Sequence, residues 1–318
     1  MRKSWRWTQW TIIFFTIFSF IFLVLPRETH KKTIISRRNK KLGIPPPPSP
    51  FPNTGAKLKF LLTVTLFRPI HMLFTEPIVG FLSFYVAFNF AVLYAFFAAF
   101  PYVFESVYHF NTEESGLVFL GIGVGCLLAV VTCWICDRYL YQPQVRKSHA
   151  EKKDGRVAPE HRLYPAMIGS FLLPISLFWF AWTAQKDISW ASPVVSGVPF
   201  AWGNLCIFIC ESQLLIIPYL FSLRNCSILT IVTAVAMYLV DTYQAMTSAS
   251  AVAASGLLRY IFGAAFPLFT IQMYERLGIS WATSLLAFIT VALMPIPWVL
   301  FKFGDSIRAR SSYDTLKV

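Results

Sequence analysis

Seven long apolar runs divide this 318-residue chain and leave most of its charge in the gaps between them. At a rise of about 1.5 Å per residue, such runs can cross a hydrocarbon layer roughly 30 Å thick. A segment in lipid must pair its own backbone N–H and C=O groups, so the runs predict helices. The expected fold class is all-α, a polytopic helical membrane protein. The runs are Trp10–Leu25, Ile78–Phe100, Leu117–Ile135, Leu163–Thr183, Ala191–Ile209, Met246–Phe269 and Trp281–Phe301.

Basic residues are concentrated in alternate gaps between these runs. Arg27–Lys59 together with Arg68, Asp137–Arg162 and Lys302–Val318 hold 21 of the 28 Lys and Arg residues. Cytoplasmic loops of membrane proteins carry this excess. We therefore predict an N-terminus outside and a C-terminus in the cytoplasm. The net charge of +13 is interpreted as facing anionic lipid, and no nucleic-acid partner is expected.

A basic, proline-rich segment follows the first run. Proline lacks a backbone donor and disfavours helix in its predecessor, so Ile44–Pro52 predicts an extended linker. The flank Lys31–Lys41 is expected to form a short amphipathic helix on the inner membrane surface. The regions expected are a span at 1–26, a cytoplasmic loop at 27–76, a six-helix bundle at 77–301 and a cytoplasmic tail at 302–318.

Cysteine and histidine do not form recognisable ligand sets. The six cysteines lie within or beside apolar runs, which implies no disulfide framework. Cys133 and Cys136 form a CxxC pair, but no second ligand pair accompanies it, and the five histidines are scattered. The sequence also lacks GxSxG, GxxxxGK[ST] and HExxH. We therefore expect no metal, no cofactor and no enzymatic activity.

Short motifs occur in a definite order between residues 60 and 312. They include Arg68-Pro69, Glu76-Pro77-Ile78, Pro159-Glu160-His161-Arg162-Leu163, Phe262-Gly263-Ala264-Ala265-Phe266-Pro267, Pro295-Ile296-Pro297 and Ile307-Arg308. In this order they resemble the C-terminal half of fungal major facilitator transporters of the drug:proton antiporter group, which includes polyamine and multidrug exporters. Upstream, Trp5–Trp10 resembles that family's sixth span.

The resemblance implies both a fold and a function. It implies proton-coupled export of small cationic or amphipathic compounds such as drugs, polyamines or toxins, with protons and the lipid bilayer as further partners and the plasma membrane as location. Such transporters place the substrate between two six-helix halves. This chain resembles seven of the twelve spans, a partial major facilitator fold, so a complementary N-terminal half would be needed for transport. A truncated, transport-incompetent gene product is the alternative.

A seven-span receptor is a second alternative. Asp137-Arg138-Tyr139 at the inner end of the third run is typical of G-protein-coupled receptors. The long, proline-rich first loop and the absence of NPxxY from the last run argue against that class. The Asp-Arg pair fits the superfamily's second inter-helix motif better, with Cys133 where glycine is usual.

Polar residues inside the runs are candidates for contact with substrate, because lipid disfavours them. Tyr85, Asn89 and Tyr94 are spaced i, i+4 and i+9, and we predict that they share roughly one helix face. The resemblance implies that this helix lines the central cavity, with Asn204 opposite. Hydrogen bonds between helices, without any ligand, are an equal alternative. Arg259, in the middle of its run, is the strongest candidate.

Charged residues at the predicted cytoplasmic helix ends are candidates for gating or coupling. They are Glu76, Asp137, Arg138 and Asp241. Solvation of a helix end explains such residues equally well.

The third run contains a small-residue motif. Gly121 and Gly125 form GxxxG, whose bare backbone lets a partner helix approach closely. We predict a packing surface here and not a dinucleotide-binding loop.

The resemblance is interrupted at residues 210–235. The family pattern runs from Gly203–Ile209 almost directly into Ala236–Asp241, whereas about 26 residues intervene here. We hypothesise a translated, unspliced intron, because Cys210-Glu211-Ser212 can be encoded as TGTGAGTC, which contains a consensus 5′ splice sequence. A genuine insertion would instead supply an eighth apolar segment.

Sequencing of the mature transcript tests the intron hypothesis. We expect a spliced message that lacks the codons for residues 210–235, with genomic DNA as the control that retains them. Retention of these codons in every mature message would refute the hypothesis.

Overall fold

Helices account for nearly all of the chain that can be described. The computed structural model describes residues 6–24, 31–43, 55, 59–60, 62–150, 158–209, 245–309 and 311. Two units are distinguished, Met1–Leu58 and Lys59–Val318. The described residues contain no strand, and their long apolar helices confirm the predicted all-α membrane fold class.

The first unit contains two described helices. Helix α1, Arg6–Val24, has apolar side chains exposed on all sides, as expected for a helix in lipid. Its 19 residues extend about 28 Å, close to the thickness of a hydrocarbon core. Helix α2, Lys31–Lys41, coincides with the predicted basic helix. The proline-rich linker Ile44–Pro52 lies outside the described residues.

The second unit begins with a helix that sequence analysis assigned to a loop. A π-helical turn at Thr63–Phe67 leads into α3, Arg68–Thr75. Met72 is fully buried, and Arg68 Nη2 donates a hydrogen bond to Thr247 Oγ1 at 2.6 Å. These tertiary contacts stabilise a helix within a stretch whose overall charge predicted a cytoplasmic loop.

Seven further α-helices lie among the described residues of this unit. Glu76 is extended, as expected before a proline, and Pro77 begins the next helix. The helices are α4 Pro77–Tyr108, α5 Thr112–Cys136, α6 Gln142–Ala150, α7 Tyr164–Thr183, α8 Ala191–Ile209, α9 Ala245–Leu293 and α10 Pro295–Arg308.

Five described helical stretches are long and apolar enough to cross a membrane. The last, Ala249–Arg308, has 60 residues and would extend roughly 90 Å if it were straight, about three times a hydrocarbon core. Gly278 interrupts it with φ 74° and ψ 160°, a conformation that glycine adopts without a side-chain clash. The stretch therefore forms two arms. The six predicted runs of this unit fall within these helices, while the predicted insertion 210–235 lies outside the described residues.

Aromatic rings form the core between α4, α7 and α8. Phe96 on α4 stacks on Phe200 of α8 with ring centroids 4.0 Å apart. Phe100 stacks on Phe180 of α7 at 5.4 Å. All four rings are almost completely buried, so the inner face of α4 is fixed against two partners.

Glycines allow α5 and α8 to approach closely. A Cβ atom on Gly121 would lie 3.0 Å from the carbonyl oxygen of Val194. One on Gly125 would collide with the carbonyl oxygen of Val198 and lie 2.8 Å from Ala201 Cβ. The predicted GxxxG packing surface is therefore confirmed.

Replacement of Gly125 by alanine tests this close approach. We expect Gly125→Ala to lower the free energy of unfolding by about 1–3 kcal/mol, because the added methyl group must push α8 away. The measurement is reversible unfolding in detergent micelles followed by circular dichroism. Gly123→Ala is the matched control, since a Cβ there would meet no atom within 4 Å, and it is expected to be neutral or stabilising by up to about 1 kcal/mol. Equal effects of the two substitutions would contradict the packing role.

Candidate functional site

Two of the predicted polar residues lie on the inner face of α4. Tyr85 is 2% exposed and Asn89 is 1% exposed. Asn89 Nδ2 donates a hydrogen bond of 2.7 Å to the backbone carbonyl of Tyr85, one turn earlier. This bond satisfies part of the amide within its own helix, and it is not one of the bonds between helices that the packing alternative predicts.

Tyr94 lies on a different side of α4. Its side chain is 41% exposed, whereas Tyr85 and Asn89 are buried. Nine residues at about 100° each make two and a half revolutions, so Tyr94 is half a turn away from Tyr85. The prediction that the three residues share one face is therefore wrong.

Asn204 lies in the part of α8 that faces α4. One turn on either side of it, the Phe200 ring lies 4.0 Å from that of Phe96, and the Phe208 ring lies 5.4 Å from that of Phe90. Asn204 is 2% exposed, and neither amide atom has a hydrogen-bond partner among the described residues. A buried amide in this state carries a desolvation penalty of about 1–3 kcal/mol, which makes it unusual in a packed interior.

Arg259 and Tyr94 meet at the same aromatic ring. Arg259 Cζ lies 5.4 Å from the ring centroid of Phe90 and 5.1 Å from that of Tyr260. The ring centroid of Tyr94 lies 4.7 Å from that of Phe90. Gly263 makes this meeting possible, because a Cβ atom there would lie 2.8 Å from the Phe90 ring. Ring faces attract the guanidinium electrostatically and hold it in place.

These side chains form an exposed aromatic patch around Arg259. We define the patch as Phe90, Tyr94, Phe97 and Tyr260; it lies near the middle of α4 and of the first arm of α9. Phe97 and Tyr260 are 42% and 64% exposed, and Arg259 is partly exposed. The sequence pattern indicated Arg259 and Tyr94 as candidates. It did not indicate Phe90 and Tyr260, because no spacing distinguishes them among 31 Phe and 13 Tyr residues.

A buried ion pair joins the short turn Pro159–Leu163, which precedes α7, to the end of α10. Arg308 donates to the carboxylates of Glu160 and Asp305, and both Glu160 and Arg308 are buried. Gly304 leaves room for the Glu160 carboxylate, since a Cβ atom there would overlap it. We name Glu160, Asp305 and Arg308 the ion cluster. Both Glu160 and Arg308 border apolar runs, where solvation of a helix end also explains a charged residue. The sequence pattern therefore did not mark them as candidate site residues.

Glu76 is the predicted gating residue whose environment is clearest. It is 2% exposed, and Ser311 Oγ donates a hydrogen bond of 2.7 Å to its Oε2. A carboxylate with so little contact with solvent is not explained by solvation of a helix end, which was the alternative interpretation of Glu76. The contact connects the beginning of α4 with the residues that follow α10.

The other predicted gating residues are not equivalent. Asp137 is partly buried and accepts a hydrogen bond of 3.2 Å from Gln142 Nε2. Arg138 is exposed, although it follows Asp137 directly. Asp241 lies outside the described residues. In the part of the chain that the structure describes, no group of three or more His, Cys, Asp or Glu side chains could hold a metal ion.

Breaking the ion cluster tests its contribution to stability. We expect Arg308→Met to lower the free energy of unfolding in micelles by about 3–5 kcal/mol, because it leaves the buried Glu160 carboxylate without its counter-charge. Adding Glu160→Gln to Arg308→Met should restore part of the loss by removing that charge. Lys302→Met is the control, since Lys302 is exposed on the same helix and should change stability by no more than about 0.5 kcal/mol. An Arg308→Met variant as stable as the Lys302→Met control would contradict this account.

Comparison with known proteins agrees with this architecture. The family model described as Major Facilitator Superfamily matches residues 2–216. The chain is 38% identical to Polyamine transporter 4 of Saccharomyces cerevisiae, with 98% of this chain and 47% of that protein covered. It is 37% identical to a citrinin biosynthesis cluster MFS transporter of Monascus ruber and 36% identical to a major facilitator superfamily multidrug transporter of Aspergillus fumigatus. The coverage is 98% of this chain in both cases, against 57% and 47% of the relatives.

The chain thus spans about half the length of the curated relatives it matches. No solved structure matches it. The relatives named above are fungal and are named as transporters, which agrees with the prediction that the chain is not an enzyme. Family model, relatives and helical architecture lead to one conclusion: the chain belongs to the major facilitator superfamily.

Proposed function

We propose that this chain forms the C-terminal half of a proton-coupled exporter of small amphipathic compounds in the plasma membrane. Its N-terminus would lie outside and its C-terminus in the cytoplasm. The observation that carries the proposal is the position of Arg259, partly exposed near the middle of a helix arm and beside exposed aromatic rings.

A permanent charge in the middle of a membrane helix restricts what that helix face can contact. Arginine at the centre of a bilayer costs at least about 2.5–3.5 kcal/mol when it faces lipid. The face that carries Arg259 and the aromatic patch is therefore expected to border protein or a polar pathway. This expectation supports a substrate path along α4 and the first arm of α9.

The relatives support export and a second bundle. One relative is named as a polyamine transporter and another as a multidrug transporter. They are about twice as long as the part that this chain matches. Alternating access requires two bundles to move against each other around the substrate. We therefore propose that a complementary N-terminal half is needed for transport.

Roles follow for the predicted site residues. Tyr85, Asn89 and Asn204 would contact substrate from the inner faces of α4 and α8, and Tyr94 and Arg259 from the aromatic patch. The buried amide of Asn204, unpaired among the described residues, favours such a contact.

The charged residues of the helix ends would act in gating or coupling. They are Glu76, Asp137, Arg138 and Asp241. Burial of Glu76 and its bond to Ser311 favour this role over solvation, because movement of α4 would have to break that contact.

Transport into proteoliposomes tests the proposal. The full chain is reconstituted alone and together with the N-terminal part of Polyamine transporter 4 that it does not match, with rhodamine 123 and fluorescein as amphipathic probes. We expect uptake of at least one probe only when both bundles and a proton gradient are present, and its loss on addition of a protonophore. Arg259→Gln should reduce this uptake at least tenfold, whereas Arg276→Gln, an exposed arginine of the same arm, should not.

Two results would count against the proposal. Gradient-dependent uptake by the chain alone would remove the need for a complementary half. Absence of gradient-dependent uptake of either probe when both bundles are present would remove proton-coupled export.

A further inference from the structure

We propose that helix α2 binds the headgroup of an inositol phospholipid that carries more than one phosphate group on its ring. The contact is made by four side chains that we name the basic surface: Arg37, Arg38, Lys40 and Lys41. This inference concerns the first unit and goes beyond the proposed export function, which uses none of these residues.

The four members of the basic surface share one side of α2. At about 100° per residue, they fall within an arc of about 160° around the helix. They also lie within four steps of sequence, a rise of about 6 Å along the helix axis. All four side chains are exposed. Asn39 lies half a turn from the centre of the arc and is partly buried, while every other residue from 35 to 43 is exposed. The charged side of this segment is therefore an open side.

No carboxylate in the surrounding sequence cancels this charge. Residues 29–75 hold nine Lys and Arg residues and no Asp or Glu. In the described part of the chain, the ion pairs with carboxylates do not involve any member of the basic surface. Cations in the last turn also stabilise the negative end of the helix dipole, but that interaction leaves exposed side chains accessible to a ligand. The basic surface therefore attracts anions within about one Debye length, roughly 8 Å at physiological salt.

The chain holds the basic surface close to a membrane. Helix α1 ends at Val24 and α2 begins at Lys31, seven residues later. Seven residues of chain reach no further than about 25 Å. A basic segment tethered in this way to a membrane helix meets lipid headgroups at a high effective concentration. Anionic lipids are concentrated in the cytoplasmic leaflet, the side on which the proposed orientation places α2. This tether favours a lipid over a soluble anion or a nucleic acid as the partner.

Charge, and not apolar insertion, makes this contact. Helix α2 contains two apolar residues, Ile34 and Ile35, among its eleven. An interfacial helix inserts an apolar stripe at least about 100° wide that continues along its length, and two adjacent residues do not supply one. The position of α2 on the membrane surface stays a prediction, and the attraction that we propose for it is electrostatic.

The density of charge selects the kind of headgroup. Phosphatidylserine carries one net charge, so several separate lipids are needed to match four cations. An inositol bisphosphate carries two phosphomonoesters on one ring, each with about −1.5 to −2 charge near pH 7. One such headgroup matches the charge of the basic surface. Arg37 and Arg38 each present a planar fork that binds phosphate oxygens in pairs, while the two lysines act as point charges.

Lipid binding by the full chain tests the proposal. The chain is held in detergent micelles, phosphatidylinositol bisphosphate, phosphatidylserine or phosphatidylcholine is added, and native mass spectrometry counts the bound lipids. We expect the bisphosphate lipid to bind at least tenfold tighter than phosphatidylserine, because its charge is concentrated on one ring, and phosphatidylcholine to bind most weakly. Free inositol trisphosphate should compete poorly, since it has no anchor in the micelle.

A matched pair of variants locates the site. The first variant combines Arg37→Gln, Arg38→Gln, Lys40→Gln and Lys41→Gln, and it should bind the bisphosphate lipid at least tenfold more weakly. The control removes two exposed arginines and two exposed lysines elsewhere, so the two variants have the same net charge, and its affinity should change less than threefold. The control combines Arg146→Gln, Lys147→Gln, Arg276→Gln and Lys302→Gln. Circular dichroism checks that both variants remain helical.

Four results would overturn the proposal. Binding of phosphatidylserine as tight as that of the bisphosphate lipid would remove the selection for adjacent phosphates. Equal losses of affinity in the two variants would mean that net charge alone attracts the lipid. Equally effective competition by free inositol trisphosphate would remove the membrane as the partner, and absence of saturable binding would remove the site. The lipid series and the competition use the unsubstituted chain, so they decide the matter even if a variant does not fold. The proposed export function fails separately, because the transport measurement does not depend on these outcomes.

Discussion

A chain surrounded by hydrocarbon must satisfy its backbone hydrogen bonds within itself, and this constraint determines the architecture of the protein. Described residues of the second unit are helical wherever an apolar run is long enough to span. Two interruptions of the helical hydrogen bonding have a clear cause in the backbone preferences of particular residues. Glu76 is extended because a proline follows it, and Gly278 adopts a positive φ that separates two arms of one long helix. Without that break, the final stretch would be far too long for one crossing.

The same solvent restricts side chains. Lipid tails are as apolar as leucine, so helices in a membrane associate through close packing more than through the hydrophobic effect. Gly125 allows α5 to pack closely against α8. Gly169 does the same for α7, because a Cβ atom added to it would lie only 2.5 Å from the carbonyl oxygen of Gly203 on α8. Helix α8 is therefore held on two sides by contacts that tolerate no larger residue. This fixes the rotation of α8 and, with it, the direction in which Phe200 and Asn204 face α4.

Charges within the second unit are compensated in two different ways. Arg308 is neutralised by Glu160 and Asp305, near the ends of two helices. Arg259 lies far from either end of its arm, and the described residues that contact its guanidinium include the aromatic rings of Phe90 and Tyr260.

The amino-acid sequence by itself determined the fold class, the positions of the apolar helices, the small-residue packing motif and the presence of an arginine in the middle of a run. These depend on local properties: hydropathy over about 20 residues, glycine spacing and charge, all of which act within one helix. It also predicted a face shared by Tyr85, Asn89 and Tyr94, which is wrong because i+9 falls on the opposite side of a helix. Only the tertiary structure decided that Tyr94 and Arg259 meet at Phe90, and that Arg308 pairs with Glu160 across 148 positions of sequence. Only it showed that residues 68–75 form a packed helix. Contacts of this kind depend on how each helix is rotated and which neighbour it meets, and hydropathy carries no information about either once nearly every side chain in a run is apolar.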